Sequence, residues 1–462
     1  MNKNKYQKLI GSSFLSLIVL IIASIMSSSN AASIFSLIVW LTGHIFCTFI
    51  EKENRIEGRI LFNFVFSALS IFALIHYMDT VVDYNEFAVG WRDEYKFWMM
   101  SEEVGNRSSL TEVFKESFSN WKYGGYPGYI LYIGILSYYA NILFDGNHLF
   151  LQFMGTVFWG SMTSIVMYRL FLLYFNKPIA YKNVLFFSLF TVVFAYSFML
   201  LRDTIIVFFY TLAFYIVLKK FSLKGLFQLL FISFLVWQIR YQHGLFIGLY
   251  ILYYLYLRFE RDKIIIINIA IIVFSLSIIA FGAYLESSFE SLERYDTIGQ
   301  EYVMERDDAM GKILYSFPSP LKEVGFFAAS QFWHYRPWNK FLYSPDNVYG
   351  RIINFLPVLF GFLWFIIMMA QLKWILFQKK INRIPIEIKH LFILSLIFLF
   401  IVVQGASDTR RIMVVYPILF LNFSLLKNRA VTKRSWNKTR NEYIVLYFLL
   451  FGVYMTLITF LN

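Results

Sequence analysis

Apolar stretches of roughly 15–25 residues recur along the chain, each closed by a short cluster of charged or turn-forming residues. They fall at roughly 9–27, 32–50, 60–78, 149–173, 183–200, 204–218, 225–239, 244–258, 264–283, 352–371, 390–406, 412–426 and 443–461. A helix rises about 1.5 Å per residue, so about 20 apolar residues cross the ~30 Å hydrocarbon core of a bilayer. The pattern predicts an all-α, polytopic integral membrane protein with about 13 transmembrane helices. No repeat, low-complexity tract or separate soluble domain interrupts it, so residues 1–462 read as a single membrane domain.

Composition agrees. The 462 residues are 58% hydrophobic and only 15% charged, with a mean hydropathy of +0.58, which excludes an ordinary soluble globular domain. The lone cysteine, Cys47, lies in an apolar stretch and excludes an internal disulfide or a thiolate metal cluster. Ser27–Ser33 offers no convincing cleavage site after the first apolar stretch, so that stretch reads as a retained helix with its N-terminus in the cytoplasm.

The net charge of +13 could point to nucleic acid, but its distribution points to orientation. Lys3/Lys5/Lys8, Lys52/Arg55/Arg59, Arg169/Lys177/Lys182, Lys219/Lys220/Lys224, Arg258/Arg261/Lys263, Lys373/Lys379/Lys380/Arg383/Lys389 and Lys427/Arg429/Lys433/Arg434/Lys438/Arg440 all fall on one side of a 13-helix topology. That side carries 26 basic and 7 acidic residues, the other 16 and 22. Excess Lys and Arg mark the cytoplasmic face. The apolar segment Tyr126–Phe144 would invert every later loop if it crossed; its Pro and Gly suit a segment that only dips into the membrane.

Two large extracytoplasmic loops are expected, about 79–125 and 284–350, and they hold 19 of the 29 acidic residues. Their length and aromatic content (Trp91, Phe97, Trp98, Trp121; Phe332, Trp333, Tyr335, Trp338) favour ordered, functional segments. In the first loop, Arg92-Asp93-Glu94-Tyr95-Lys96 opens a short helical stretch. Adjacent carboxylates suit a catalytic base or a cation ligand, or simply a solvated face with local ion pairs. No metal ligand set is assigned, and no organic cofactor is called for. Arg202-Asp203 sits between two apolar helices with almost no loop. It is either an ion pair bracing helix ends or a phosphate site built on Arg202. Arg240 and His243 occupy another tight turn, and Asp408, Arg410 and Arg411 a third, all on the outer side; Arg336 adds to the second loop. Guanidinium groups take phosphate oxygens through a planar fork, although single interfacial arginines also snorkel to headgroups. His243 and His334 could carry protons near neutral pH, and a hydrogen-bonded structural role is the competing reading.

The chain lacks GxxxxGK[ST], HExxH, GxSxG and a nucleotide-binding Gly-rich turn. An outer-face enzyme without ATP or nucleotide sugars needs a substrate already activated on a lipid phosphate. Asp93-Glu94-Tyr95, Tyr126-Pro127-Gly128-Tyr129, Leu201-Arg202-Asp203 and Ser407-Asp408-Thr409-Arg410-Arg411 followed by Tyr416-Pro417 resemble bacterial O-antigen and capsular polysaccharide polymerases, and more widely the polyprenyl-phosphate-dependent (GT-C-like) membrane glycosyltransferases. The GT-C pattern places its acidic loop after the first helix, whereas two additional helices precede it here, which favours the polymerase resemblance.

That resemblance implies a multi-pass protein of the bacterial inner membrane that polymerises undecaprenyl-pyrophosphate-linked oligosaccharide repeat units on the extracytoplasmic face. Its expected partners are the lipid-linked substrate, membrane lipids and a chain-length regulator protein, and no nucleic acid. In this reading Asp93 or Glu94 is the base, and Arg92, Arg202, Asp203, Arg240, His243, Arg336, Asp408, Arg410 and Arg411 line the phosphate and substrate site. The alternatives are a GT-C-type transferase of a single sugar and a flippase for lipid-linked oligosaccharide. Transporters commonly show paired halves, whereas the two large loops differ from one another.

Overall fold

The computed structural model describes residues 3–83, 92–119, 126–258, 348–405 and 412–461. Among them the chain is almost entirely helical and forms no strand. Among the described residues, five helical segments are long and apolar enough to cross a membrane: Asn4–Ser27, Asn30–Phe49, Lys52–Val81, Leu149–Leu172 and Phe355–Phe377. The segment expected at 264–283 and nearly all of the 284–350 loop lie outside the described residues.

The chain forms two compact units, Met1–Ile216 with Phe227–Gly248 and Pro337–Phe360, and Val217–Leu226 with Leu249–Arg336 and Gly361–Asn462. The first contains α1 (Lys3–Ser27), α2 (Asn30–Phe46), α3 (Arg55–Tyr77), α4 (Arg92–Gly105), α5 (Leu110–Ser119), α6 (Pro127–Leu143), α7 (Leu149–Leu172), α8 (Lys177–Leu189), α9 (Val192–Tyr196) and α10 (Asp203–Val217). It also holds most of α11 (Leu223–Ile239) and the opening of α12 (Tyr241–Arg258). Its centre is α7, 89% buried along its apolar window, whereas α1 and α2 are 28% buried and turn Ile10, Phe14, Ile21, Ile38 and Ile45 outward. Such an apolar outer face is what lipid requires. The fully buried Asn63 of α3 accepts from Trp40 (3.0 Å), bonds His44 (2.9 Å), and donates to Ser12 and Ser13, so α1, α2 and α3 are tied together with no atom of that amide left bare.

Ion pairs gather at one end of this unit. Lys5 pairs with Glu57, Arg169 with Glu51 (3.7 Å) and Lys177 with Glu53 (3.7 Å). Three of the basic clusters read from sequence therefore meet at the same end. At the other end, Asp145 accepts from the amides of Asn30 (3.2 Å) and Ala31 (3.3 Å), closing the start of α2, and Tyr77 bonds His148 (3.2 Å).

The described part of the first large loop is mostly helix. Helices α4 and α6 run side by side in the same direction: Phe97 packs on Tyr129, Val104 lies against Gly134, and Asn141 donates to the Gly105 carbonyl (3.1 Å). The Tyr126–Phe144 segment forms one uninterrupted helix, with Pro127 in its first turn, where a missing N–H costs nothing. It runs antiparallel along the first half of α7, from Tyr132 beside Trp159 and Gly155 to Asn141, which holds the Asn147 amide at 2.7 Å. The stretch expected as one helix at 183–200 is instead α8 and α9, broken at Phe190–Thr191. Thr191 is extended (φ −125°, ψ 165°) and returns its hydroxyl to the Phe187 carbonyl at 2.7 Å, a side-chain bond that competes with the helix.

Among the described residues the second unit takes in Val217–Leu226, α12 from Leu249 onward, α13 (Val348–Leu372) from Gly361 onward, α14 (Ile386–Gly405), α15 (Tyr416–Ala430) and α16 (Lys433–Leu461). Its core packs Phe365, Ile366 and Tyr447 with Phe362, Trp436 and Tyr443. Trp364 stacks on Tyr416 at 3.9 Å, and the buried Asn422 donates to Gln371 at 2.9 Å.

Candidate functional site

In the first unit, five stretches distant in sequence converge: the last turn of α3, the first turn of α4, the start of α6, the turn before α10 and the turn before α12. Helical periodicity separates the adjacent carboxylates of α4. Glu94, Phe97, Ser101 and Val104 follow a three-to-four-residue spacing and form its buried face, whereas Asp93 is exposed. Glu94 has no exposed surface. Its Oε1 accepts the Leu200 amide at 2.7 Å and its carboxylate faces His76 Nε2 at 3.1 and 3.2 Å. His76 is clamped between the Phe153 ring (4.7 Å, stacked) and the Phe198 ring (6.2 Å, edge-on), and its Nδ1 is buried without a hydrogen-bond partner. Directly after α3 the backbone widens into a π-helical turn, Met78–Asp83, a distortion common at functional sites.

Arg202 and Asp203 do not pair with each other. Asp203 accepts from Arg240 Nη1 at 3.0 Å, both side chains being largely buried. This pair joins the turn before α10 to the turn before α12. Arg202 instead lays its guanidinium on the Tyr126 ring, 3.9 Å from the centroid, with Phe97 at 5.9 Å. It makes no ion pair among the described residues, and its Nη1 is buried without a hydrogen-bond partner. The close approach of these segments depends on Gly128, where a Cβ would stand 2.8 Å from the Cβ of Gln238 and 3.2 Å from its carbonyl. Tyr129 lies within electrostatic reach of Glu94, Asp203 and Arg202, and its buried hydroxyl also lacks a partner.

A buried polar atom without a partner costs about 1–3 kcal/mol. Here three such atoms, Arg202 Nη1, Tyr129 Oη and His76 Nδ1, occur around one carboxylate. The arrangement offers a proton acceptor, a cation with a vacant donor, and a hydroxyl able to donate or accept, which is what a substrate with a reacting hydroxyl and an anionic group needs.

The structure thus brings Glu94, Arg202, Asp203 and Arg240 together. His243 is directed elsewhere: its Nδ1 lies 3.3 Å from the Tyr210 hydroxyl, which also donates to the His243 carbonyl. Arg92 opens α4. Arg336, Asp408, Arg410 and Arg411 lie outside the described residues. Sequence reasoning passed over His76, although an ionisable residue on the buried stripe of an apolar helix, in line with Phe62, Leu69 and Ala73, was a usable signal. Among the described residues no group of three or more His, Cys, Asp or Glu side chains could hold a metal. No family model, curated protein or solved structure matches the chain.

Proposed function

We propose that this chain is a membrane glycosyltransferase that polymerises polyprenyl-pyrophosphate-linked oligosaccharide repeat units. In this reading it crosses the bacterial inner membrane about 13 times, with the basic clusters in the cytoplasm and the Glu94–Arg202 site on the extracytoplasmic side. The observation that carries the proposal is Arg202: an arginine held flat on Tyr126, with no acidic partner among the described residues, in the same polar cluster as a buried glutamate.

Glu94 removes the proton of an acceptor sugar hydroxyl as its oxygen attacks the anomeric carbon. The glycosidic C–O bond to the diphosphate breaks, and the leaving oxygen departs with the electron pair. Negative charge grows on that diphosphate, where Arg202 supplies donors already oriented by stacking and needs little reorganisation. Asp203 and Arg240 neutralise each other and hold the two turns in register. The antiparallel run of α6 along only the first half of α7, with the shared ion-paired end of α1, α3 and α7, supports a segment that enters and returns rather than crossing.

The test is chain extension by the purified protein in liposomes supplied with lipid-linked repeat unit. Glu94→Gln is expected to slow extension by about 10²–10⁴-fold, and Arg202→Gln by roughly a hundredfold, about 3 kcal/mol of transition-state stabilisation. Polymer of normal length and rate from both variants overturns the proposal. A flippase would leave glycan length unchanged when the substrate is already on the reacting side.

A further inference from the structure

Tyr126 holds two cations from different elements, by two different parts of the same side chain. Its ring face carries the Arg202 guanidinium at 3.9 Å, and its hydroxyl accepts from Lys96 Nζ at 3.1 Å, the ammonium standing 5.5 Å from the ring centre. Lys96 comes from α4 and is exposed, whereas Arg202 precedes α10 and is half-buried. Like charges repel, and an exposed lysine is free to swing away into solvent. Here a hydrogen bond tethers it to the ring that Arg202 lies on. The edge of Tyr126 is itself fixed by Phe97, 5.9 Å away at 78°.

We infer that Lys96, Tyr126 and Arg202 form a diphosphate-binding clamp. Arg202, planar and fixed, takes one phosphate through its fork, and Lys96, a compact point charge on a flexible stem, takes the second. A phosphodiester brings one negative charge and two free oxygens, whereas a diphosphate brings more of both, so two cations held side by side favour a diphosphate over a single phosphodiester. Tyr126 is a positioning residue: its ring sets the arginine and its hydroxyl sets the lysine. The clamp rests on the glycosyl-transfer reading only for the identity of the leaving group; the binding chemistry stands apart from it.

The full-length protein in nanodiscs of uncharged phosphatidylcholine, titrated calorimetrically with inorganic pyrophosphate and with farnesyl pyrophosphate, tests this. Arg202→Gln and Tyr126→Leu are each expected to raise Kd at least ~tenfold. Lys96→Gln is expected to raise it about threefold. Tyr126→Phe keeps the stacking face and loses only the lysine tether, so it keeps the test decisive even where the leucine variant fails to fold. Combined with Lys96→Gln, it is expected to add nothing to the loss caused by Lys96→Gln alone. Farnesyl pyrophosphate binding about tenfold tighter than inorganic pyrophosphate assigns the site to a lipid headgroup, and equal affinity to free diphosphate; either supports the clamp. Unchanged affinity in Arg202→Gln and Tyr126→Phe, independent losses in the double variant, or displacement by phosphatidylglycerol at equal strength overturns it. Failure of the clamp leaves chain extension to be judged by its own assay, while diphosphate binding without extension removes the glycosyl-transfer reading and leaves the clamp.

Discussion

Glu94 shows how one residue's position in a helix decides its chemistry. A carboxylate with no exposure survives only if its lone pairs are occupied, and here the Leu200 amide and His76 Nε2 occupy three acceptor positions across the two oxygens. Removing His76 strips away that side-chain partner while leaving the carboxylate buried. His76→Ala is therefore expected to destabilise the protein by about 3 kcal/mol, and His76→Gln, which restores an N–H donor, by clearly less. Thermal unfolding in detergent measures both, and equal midpoints for the two variants would show that the ring's packing against Phe153, rather than its N–H, is what matters. The Asp93-Glu94 pair was legible in the sequence as chemistry but not as a choice. The choice lay in the spacing of Glu94 with Phe97, Ser101 and Val104, which selects the buried stripe. By contrast, the Asp203–Arg240 partnership joins residues 37 apart through the meeting of two turns, and no local pattern encodes such a meeting.

At the scale of elements, most apolar helices stand where hydrophobic runs place them, because a run of that length has few alternatives in lipid. The exceptions have local causes: Thr191, whose hydroxyl donates to the Phe187 carbonyl, breaks the 183–200 run, and the 79–125 stretch holds α4 and α5, whose amphipathic pattern is shorter than a crossing. Helix α5 begins at a Ser109-x-x-Glu112 capping arrangement. Ser109 Oγ accepts from the Glu112 amide at 3.3 Å, while the Glu112 carboxylate accepts from the Ser108 hydroxyl (2.7 Å) and amide (3.1 Å). These hydrogen bonds, led by the Ser108 hydroxyl, hold the Glu112 carboxyl below its ordinary value. A group depressed in the folded state adds stability that is fully present above the unfolded pKa, about 4.3 for Glu. That stability is lost as pH falls through the lower folded value. Amide protection in the first turn of α5, corrected for intrinsic exchange, should therefore be constant near neutrality and fall below about pH 4. In Glu112→Gln this pH dependence should be absent; an unchanged acid limb in that variant would place the titrating group elsewhere.

For the whole molecule, loop charge along the sequence speaks to sidedness, and the first unit gives it a physical counterpart. Lys5, Glu51, Glu53, Glu57, Arg169 and Lys177 pair at one end, while Asp145 and His148 close the other. Individual exposed ion pairs contribute little, about 0–1 kcal/mol, so their value here is geometric: they place the N-terminal segment and two connections on a common face whatever the contribution to stability. The native cysteine supplies a silent background for testing which face this is, since Cys47 is fully buried and forms no disulfide. Lys52, Lys115 and Lys182 are exposed, the first between α2 and α3, the second on α5 and the third early in α8. With single cysteines at these positions, a membrane-impermeant maleimide applied to intact cells is expected to label Lys115→Cys. It should reach Lys52→Cys and Lys182→Cys only after the membrane is opened. Labelling of Lys182→Cys together with Lys115→Cys would mean that α6 crosses and inverts every later loop. Labelling of Lys52→Cys from outside would reverse the orientation and put the Glu94–Arg202 site out of reach of a substrate presented on the extracytoplasmic leaflet.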